Sequence, residues 1–343
     1  MNDSQSTVGS FGTLADAYVD GLSQILQRGA RVASVTDPLS KASNFGTTDR
    51  PSLELIAHKF VVSDPRSFIV TSDVLPIRLP YCFGLLAWTL RGRNDVATLS
   101  YYRAGAIDYS DDGYSLSGAF GRRLFGDVSS KNQLSAIVRR IRDDPTSRRT
   151  YASIIDSEDN LTPSREYPCA SGVQLFLRER RLSLMTVMRA QQALTVLPYD
   201  AFLFMSLQLL LAMQLETGLG DYIHFAGTYH MYSSEAGLAR SLLAEVPMSV
   251  AVPFSPCDED PAATIDDLCK MEEDVRSAAL RGNVSAIDAI AQTDSSSVLL
   301  NVAKFVLCNH AYFRCGVQQE LPVPGFLPES VAQAAGNPLT HGR

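Results

Sequence analysis

The chain has 343 residues, of which 45% are hydrophobic, and its formal net charge at pH 7 is −7. This length allows one large core or two smaller ones. The acidic balance argues against broad nucleic-acid binding, which needs a basic face, but it permits a small anionic ligand held by a few arginines.

In the N-terminal half, apolar residues at helical spacing predict a first helix over 14–28, which ends before Gly29. A loop is predicted over 34–52. Alternating residues then predict strands within 59–72, with the turn SDPRS between them. A second, buried helix is predicted over 79–92.

Further along the chain, the pattern predicts a loop over 107–118, an amphipathic helix over 131–142, and a β-hairpin of 173–177 with 182–188 that is joined by the charged turn RERR. It then predicts a long apolar helix over 201–217 and a helix with one polar face over 264–281. There is no internal repeat and no convincing linker. We therefore predict one α+β domain over 1–320, followed by a Pro/Gly-rich tail over 321–343.

Targeting signals are also informative. The N-terminal residues MNDSQSTVGS lack the basic start and apolar core of a signal peptide. The apolar run at 201–215 contains Ser206 and Gln208 and is too short to span a bilayer. The six cysteines have no paired spacing, which favours free thiols. These features predict a cytoplasmic protein with no nucleic-acid or membrane partner.

Five short motifs follow one another along the chain. They are DPTSRR at 144–149, YPC at 167–169, the single Arg189, LPYD at 197–200 and YHMY at 229–232. Each alone has an ordinary explanation: a lone cysteine is usually a core residue, and Asp200 is a candidate helix N-cap. Their shared order and spacing resemble the thymidylate synthase and deoxycytidylate hydroxymethylase family, over roughly residues 75–235.

The resemblance implies an α+β thymidylate synthase-like fold, in which a large mixed β-sheet flanked by helices forms the interface of a homodimer with shared active sites. Cys169 would be the nucleophile that adds to C6 of a pyrimidine nucleotide, and nearby guanidinium groups would lower the pKa of its thiol. The phosphate-binding positions match Arg189 of the same subunit, Arg148 and Arg149 of the partner, and Arg50 from the N-terminal region.

Other matched positions concern the base and the sugar. Asp200 stands where uracil-specific members have asparagine, and a carboxyl group can match the donor amine and the acceptor N3 of cytosine. Ala190 stands where the family usually has serine, and the space that it leaves could take a ribose 2′-hydroxyl. His230 and Tyr232 match the pair that binds the sugar 3′-hydroxyl. The implied substrate is CMP.

The implied one-carbon donor is 5,10-methylenetetrahydrofolate, with Trp88 and Gln192 at cofactor-binding positions. Gln192 replaces the family's pterin-binding aspartate. Leu85 stands where the family has a glutamate that organises water and proton transfer. The implied activity is CMP 5-hydroxymethylation, in which water adds to the methylene group after the folate leaves.

Several alternatives remain open. A dCMP hydroxymethylase or a cytosine-directed methylating synthase would use the same nucleophile, and the missing glutamate is compatible with a catalytically dead nucleotide-binding protein. A metal site built from Cys308, His310 and Cys315 lacks a fourth ligand and zinc spacing, so buried thiols are the preferred interpretation.

Overall fold

A mixed β-sheet organises the computed structural model, which describes residues 9–33, 50–126, 132–253, 260–325, 327–328 and 331. The strands are β1 (Gly9–Phe11), β2 (Ala30–Val32), β3 (Ser52–Val62), β4 (Ile69–Thr71), β5 (Tyr151–Ser153), β6 (Ala170–Arg178), β7 (Arg181–Gln192), β8 (Gly218–Tyr232) and β9 (Met248–Val250). Within these ranges, seven strands form one sheet in the order β1-β3-β8-β7-β6-β5, with β2 also paired to β3. Strands β4 and β9 form a separate pair.

Both kinds of strand pairing occur in the large sheet. The pairs β1–β3 and β7–β8 are parallel, whereas β3–β8, β6–β7 and β5–β6 are antiparallel. The large mixed sheet predicted from the family resemblance is therefore present.

Helices surround this sheet. They are α1 (Leu14–Arg28), α2 (Leu79–Leu90), α3 (Val96–Tyr102), α4 (Phe120–Phe125), α5 (Gln133–Asp143), α6 (Leu197–Gln214), α7 (Ala236–Glu245), α8 (Pro261–Leu280), α9 (Val284–Ala291) and α10 (Val298–Arg314). Helix α6 is long and apolar enough to cross a membrane by length and composition alone, but 89% of it is buried inside the protein. It is the core helix that the sequence predicted.

Several sequence predictions agree with the structure. Helix α1 has the predicted bounds, and its start carries a capping box between Thr13 and Asp16. The predicted hairpin forms β6 and β7, and its two turn residues, Glu179 and Arg180, have φ values of 51° and 57°. Positive φ at both positions is the requirement of a type I′ turn, which matches the twist of the flanking strands.

Other predictions need correction. Strand β3 begins at Ser52, well before the predicted 59, and YHMY ends the 15-residue strand β8, which the pattern did not predict. Helix α6 begins at Leu197 because Pro198 fits its first turn, so Asp200 is a first-turn residue and not the N-cap. The predicted loop over 34–52 lies mostly outside the described residues, as does most of the predicted tail.

The sheet bends along one row of residues. In β8 the buried side chains are first Tyr222, His224 and Ala226, then Tyr229 and Met231, so the inward-facing set changes from even to odd numbers. The same change occurs in β7, where Met188 and then Gln191 are buried. Side chains alternate strictly in a regular strand, so each change marks a local irregularity.

Three residues form the row at which the bend occurs. Gly227 lies opposite Ala57 of β3, which has a left-handed φ of 54°, and opposite Arg189 of β7. A Cβ at Gly227 would come within 2.9 Å of the Arg189 carbonyl oxygen, so the close approach requires glycine. Beyond this row, alternate residues of β7 and β8 face away from the core on a shared surface.

Two buried histidines lie on the core side of the bend. His224 stacks on Phe60 with ring centroids 4.9 Å apart, and its Nδ1 is 3.0 Å from the Tyr222 hydroxyl. Burial lowers the pKa of His224 to about 3 and that of His58 to about 4. Both rings are therefore neutral in the folded protein at neutral pH.

These histidines should weaken the fold in acid. Each folded-state pKa lies below the unfolded value of about 6.5. The stability that the two neutral rings contribute is therefore complete above that value and is lost as the pH falls toward the folded pKa. His224→Phe keeps a ring on Phe60 but cannot titrate. The free energy of unfolding, measured in urea, should fall between pH 7 and pH 5 in both proteins. The fall should be about 2 kcal/mol smaller in this variant than in the wild type.

The matched control is Phe60→Leu, which removes the stacking partner and leaves the imidazole. Its stability should be lower at both pH values, with the pH dependence retained. Equal pH dependence in the wild type and His224→Phe would contradict the prediction.

Candidate active site

Cys169 lies directly before β6, where β7 holds its backbone. The Arg189 N–H donates to the Cys169 carbonyl oxygen at 2.8 Å. The Arg189 guanidinium donates to the carbonyl oxygens of Pro168 at 2.8 Å and Tyr167 at 3.0 Å, and its Nη2 lies 3.9 Å from the Cys169 Sγ. The predicted nucleophile and the predicted same-subunit phosphate ligand are therefore neighbours.

The thiol of Cys169 is not activated in the isolated protomer. Solvent reaches the side chain, yet protein atoms surround it closely enough that loss of hydration is the largest influence and raises its pKa. Arg189 lowers the pKa, while the Asp200 and Glu166 carboxyl groups raise it. The expectation that guanidinium groups lower this pKa holds for Arg189 alone, and burial outweighs it.

Glu166 is a carboxyl group near the nucleophile that the sequence motifs did not identify. Burial raises its pKa to about 7, and the carboxyl accepts a hydrogen bond from the Gly118 N–H at 3.0 Å. A Cβ on Gly118 would come within 3.0 Å of the Pro168 ring, so this close approach again requires glycine. The position of Glu166, three residues before Cys169, is visible in the sequence, but its burial is not.

Asp200 is held in the first turn of α6, where it is almost fully buried. Its Oδ2 accepts a hydrogen bond from Gln191 Nε2 at 2.9 Å. Burial raises the pKa of Asp200 to about 7, and the hydrogen bond from Gln191 opposes that rise. The carboxyl group is therefore substantially protonated at neutral pH. Gln191 is a second residue that the motifs did not identify.

The residues matched to the sugar share one surface beyond the bend with Gln192, one of the two residues matched to the cofactor. Ala190 of β7 pairs with Thr228, and Gln192 pairs with His230. His230 and Tyr232 are two residues apart on β8, with ring centroids 6.0 Å apart, and the Arg50 guanidinium lies 4.0 Å from the centre of the Tyr232 ring.

His230 connects this surface electrostatically with the nucleophile. Burial lowers the pKa of His230, Glu54 raises it, and Arg189 lowers it. Arg189 thus acts on both the thiol and the imidazole. The structure gathers Cys169 and Asp200, with the residues of this surface, into one region.

Arg148 and Arg149 lie elsewhere in the protomer. Both are exposed, and they precede Thr150, which bonds to Leu175 of β6. Cys169 adjoins the opposite end of β6, and the five intervening strand residues span roughly 17 Å. Within one protomer, the two arginines are therefore separated from the nucleophile, as their predicted role toward a partner subunit requires.

The two side chains matched to folate binding are engaged within the chain. Trp88 is 3% exposed, and its indole N–H donates to the Asp95 carbonyl oxygen at 3.0 Å. Gln192 donates to Glu235 at 2.8 Å, and its Oε1 accepts from the N–H groups of Thr195 and Val196. A pterin contact by Gln192 would have to replace one of these bonds, so both cofactor assignments stay predictions.

The surroundings of the cysteines and of His310 bear on the alternative of a metal site. Within the ranges that the structure describes, no three His, Cys, Asp or Glu side chains come together as possible ligands. His310 instead lies against the rings of Tyr101 and Tyr102, with centroids 5.3 and 5.6 Å away. The cysteines in those ranges are free thiols.

Comparison with known proteins agrees with this arrangement. The thymidylate synthase family model matches residues 16–268, which include most of α1, strands β2 to β9 and the candidate site. The chain belongs to the thymidylate synthase family. A phage relative, the deoxyuridylate hydroxymethyltransferase of Delftia phage PhiW-14, is 25% identical over 230 residues. That match covers 62% of this chain and 61% of the phage enzyme, so the chain spans about three fifths of its relative's length.

The chain departs from the predicted thymidylate synthase family pattern on α2. Leu85 stands at the position matched to the family's glutamate, half-buried on α2, and it packs against the apolar cluster that contains Trp88. The carboxyl groups that influence the Cys169 thiol are instead those of Glu166 and Asp200.

Removing the Glu166 charge should activate the thiol. Glu166→Gln keeps an acceptor for the Gly118 N–H but loses a carboxyl group that raises the Cys169 pKa. We expect the midpoint of Cys169 alkylation by iodoacetamide, measured between pH 6 and pH 10, to move to lower pH. Glu158→Gln, at an exposed site, is the control and should leave the midpoint in place. Coincident midpoints for all three proteins would refute this electrostatic role.

Proposed function

We propose that this protein is a CMP 5-hydroxymethyltransferase. The observation that supports a cytosine substrate is the buried Asp200 carboxyl group, with a pKa of about 7. A protonated carboxyl group offers one donor and one acceptor, which cytosine needs at N3 and at its amine. An ionised carboxylate offers only acceptors and would face the N3 lone pair unfavourably.

The proposed chemistry begins at Cys169. Its thiolate adds to C6 of the cytosine ring, which makes C5 nucleophilic. Arg189, 3.9 Å from the sulfur, stabilises the thiolate and lies where it can bind the nucleotide phosphate. Once C5 has bonded to the one-carbon unit, loss of the C5 proton and departure of the thiolate from C6 restore the aromatic ring.

The proposed one-carbon donor is 5,10-methylenetetrahydrofolate, which supplies a carbon at the oxidation level of formaldehyde. Family membership supports this donor. Transfer of that carbon to C5 with the addition of one water molecule gives 5-hydroxymethyl-CMP and tetrahydrofolate, so no external oxidant or reductant is needed. The phage relative, named a hydroxymethyltransferase, supports water rather than hydride as the final addition.

The ribonucleotide assignment rests on the small side chain at position 190. Ala190 lies on the same surface as His230 and Tyr232, the pair matched to the sugar. The combination of Asp200 with Ala190 resembles the cytidylate hydroxymethylase of mildiomycin biosynthesis. A deoxynucleotide hydroxymethylase is the second candidate, because the phage relative is named for a deoxynucleotide.

We further propose a homodimer formed through the outer face of the sheet. Ile56 on this face is 70% exposed, and Phe225 and Val187 are half-buried. An apolar sheet face of this kind is stabilised when a second copy covers it. The exposed positions of Arg148 and Arg149, far from their own Cys169, support the transfer of these arginines to the partner's phosphate site.

The proposed activity predicts a specific product. With methylenetetrahydrofolate, CMP should gain the mass of one hydroxymethyl group, and kcat/KM for CMP should exceed that for UMP by about tenfold or more, because mismatched buried hydrogen-bonding groups are costly. The measurement is mass spectrometry of the products from CMP, dCMP, UMP and dUMP, assayed in parallel.

Two variants accompany this assay. Cys169→Ala should bind CMP but form no product, and Ala190→Ser should raise activity on dCMP relative to CMP. A methyl product would favour a synthase, and no product from any nucleotide would favour a catalytically dead binding protein. Faster turnover of dCMP than of CMP by the wild type would favour the deoxynucleotide enzyme.

The shared-site dimer predicts complementation. Co-expressed Cys169→Ala and Arg149→Ala chains should regain about a quarter of the wild-type activity, because half of the dimers are hybrids and each hybrid contains one intact site. The purified hybrid, isolated with two different affinity tags, should have about half of the wild-type activity, because one of its two sites is intact, and this activity is the measurement.

The control pairs Cys169→Ala with Arg189→Ala. Both residues belong to the same subunit's site, so neither site of that hybrid is intact and no activity should return. Equal activity from the two hybrids would exclude the shared-site model.

A further inference from the structure

The side-chain amide of Gln191 is oriented by its own backbone surroundings. Gln191 is 1% exposed, and its Nε2 donates both to Asp200 Oδ2 at 2.9 Å and to the Gln192 carbonyl oxygen at 3.3 Å. Rotation of the amide by 180° would place Oε1 against that carbonyl oxygen, so two acceptors would face each other. The Gln192 carbonyl, which cannot donate, therefore keeps the NH₂ group directed at Asp200.

This orientation distinguishes the two oxygens of Asp200. An oxygen that receives an N–H hydrogen bond is stabilised as an acceptor, so the proton of the neutral carboxyl group is favoured on the other oxygen. Oδ2 then remains an acceptor, and Oδ1 carries the proton. The neutral acid is thereby fixed in one of its two tautomers.

The tautomer matters because a neutral carboxyl group alone does not discriminate between the pyrimidines. With Oδ1–H facing N3 and Oδ2 facing position 4, the acid pairs with the N3 lone pair and the amine of cytosine. Uracil presents N3–H and O4 to the same atoms, so both contacts are mismatched. With the proton on Oδ2 instead, the acid would pair with uracil, and cytosine would be mismatched at both atoms.

We propose that Gln191 is a specificity-determining residue that fixes the proton of Asp200 on Oδ1 and so makes the site read cytosine in preference to uracil. This inference rests on the proposed base-reading role of Asp200. Gln191 acts through Asp200 and is a positioning residue rather than a group that touches the substrate.

The same arrangement makes base preference depend on pH. Ionised Asp200 has two acceptor oxygens, and each base then makes one matched and one mismatched contact, so the preference disappears as the pH rises through the Asp200 pKa of about 7. The titratable groups that interact with Asp200 are Cys169 before β6, Tyr81 on α2 and Tyr222 on β8. Burial raises the pKa of both tyrosines, so they stay neutral near pH 7, and Cys169 is the group to remove.

The test uses full-length protein with Cys169→Ala, which abolishes thiol titration and turnover. Dissociation constants for CMP and UMP are measured by calorimetry from pH 5.5 to pH 8.5. The phosphate titrates equally in both nucleotides, so it cancels in the UMP/CMP ratio. The ratio should be about tenfold or more at pH 5.5, because two mismatched contacts oppose UMP, and it should approach one at pH 8.5. A UMP/CMP ratio that does not change with pH in the Cys169→Ala protein, which keeps Gln191, overturns the inference.

Gln191→Met in the same background keeps the shape of the side chain and removes its N–H donor. Both tautomers of Asp200 then become accessible, so the ratio at pH 5.5 should fall to within about threefold of one. Because the lost hydrogen bond had lowered the Asp200 pKa, any remaining pH dependence should move to higher pH. An unchanged ratio and an unchanged pH midpoint overturn the inference.

Gln208→Met is the matched control. Gln208 is also a fully buried glutamine, but its Nε2 donates to the carbonyl oxygens of Leu182 and Gly220, away from Asp200. It should lower stability and leave the UMP/CMP ratio unchanged. Turnover of CMP by the wild type tests the proposed function separately. If the wild type hydroxymethylates CMP but the UMP/CMP ratio is unchanged in Gln191→Met, the inference is overturned and the proposed function stands. If the UMP/CMP ratio responds to Gln191→Met but the wild type forms no product, the inference is supported and the proposed activity is overturned.

Discussion

The packing of α6 against the large sheet is the constraint on which the candidate site depends. This helix is buried on almost every side, and the polar residues buried within it include Asp200, Ser206 and Gln208. Gln208, about two turns beyond Asp200, adds hydrogen bonds to carbonyl oxygens of β7 and β8. Asp200 is held in the site by the packing of the whole helix, and the same burial keeps its carboxyl group substantially protonated at neutral pH.

The bend in the sheet supplies the second half of the arrangement. A regular β8 would direct His230 and Tyr232 to the same face as Tyr222 and His224, which are core residues. The irregularity at Gly227 directs them away from the core. Arg189 lies in the same row and reaches back to the Cys169 loop, so the backbone feature that exposes the pair matched to the sugar also positions the cation next to the thiol.

The electrostatics of the site have a common cause. Burial raises the pKa of Cys169, Glu166 and Asp200, and Arg189 is the guanidinium group that lowers the thiol pKa within the protomer. A protonated Asp200 suits cytosine recognition, whereas a protonated Cys169 does not suit nucleophilic attack. Additional cations from a partner subunit, as proposed for Arg148 and Arg149, would lower the pKa of the Cys169 thiol. This is a physical reason for such a site to be shared between subunits.

The sequence by itself determined the elements whose signals are local. The apolar spacing of 14–28, followed by Gly29, predicted α1, and the charged turn predicted the hairpin of β6 and β7. The order of the motifs indicated the family and implied that Cys169 and Arg189 share one site. These predictions succeeded because each depends on neighbouring residues or on a spacing that is read directly.

Tertiary structure decided the rest. Helix α10 and the full length of β8 were missed, because a helix buried on most sides loses its periodicity and a bent strand loses its alternation. The roles of Glu166 and Gln191 were also invisible in the sequence. A carboxyl pKa near 7 and a fixed amide orientation both arise from burial and from partners supplied by other segments, such as Gly118 for Glu166 and α6 for Gln191. Sequence specifies which groups are present, but their protonation depends on the atoms that folding brings around them.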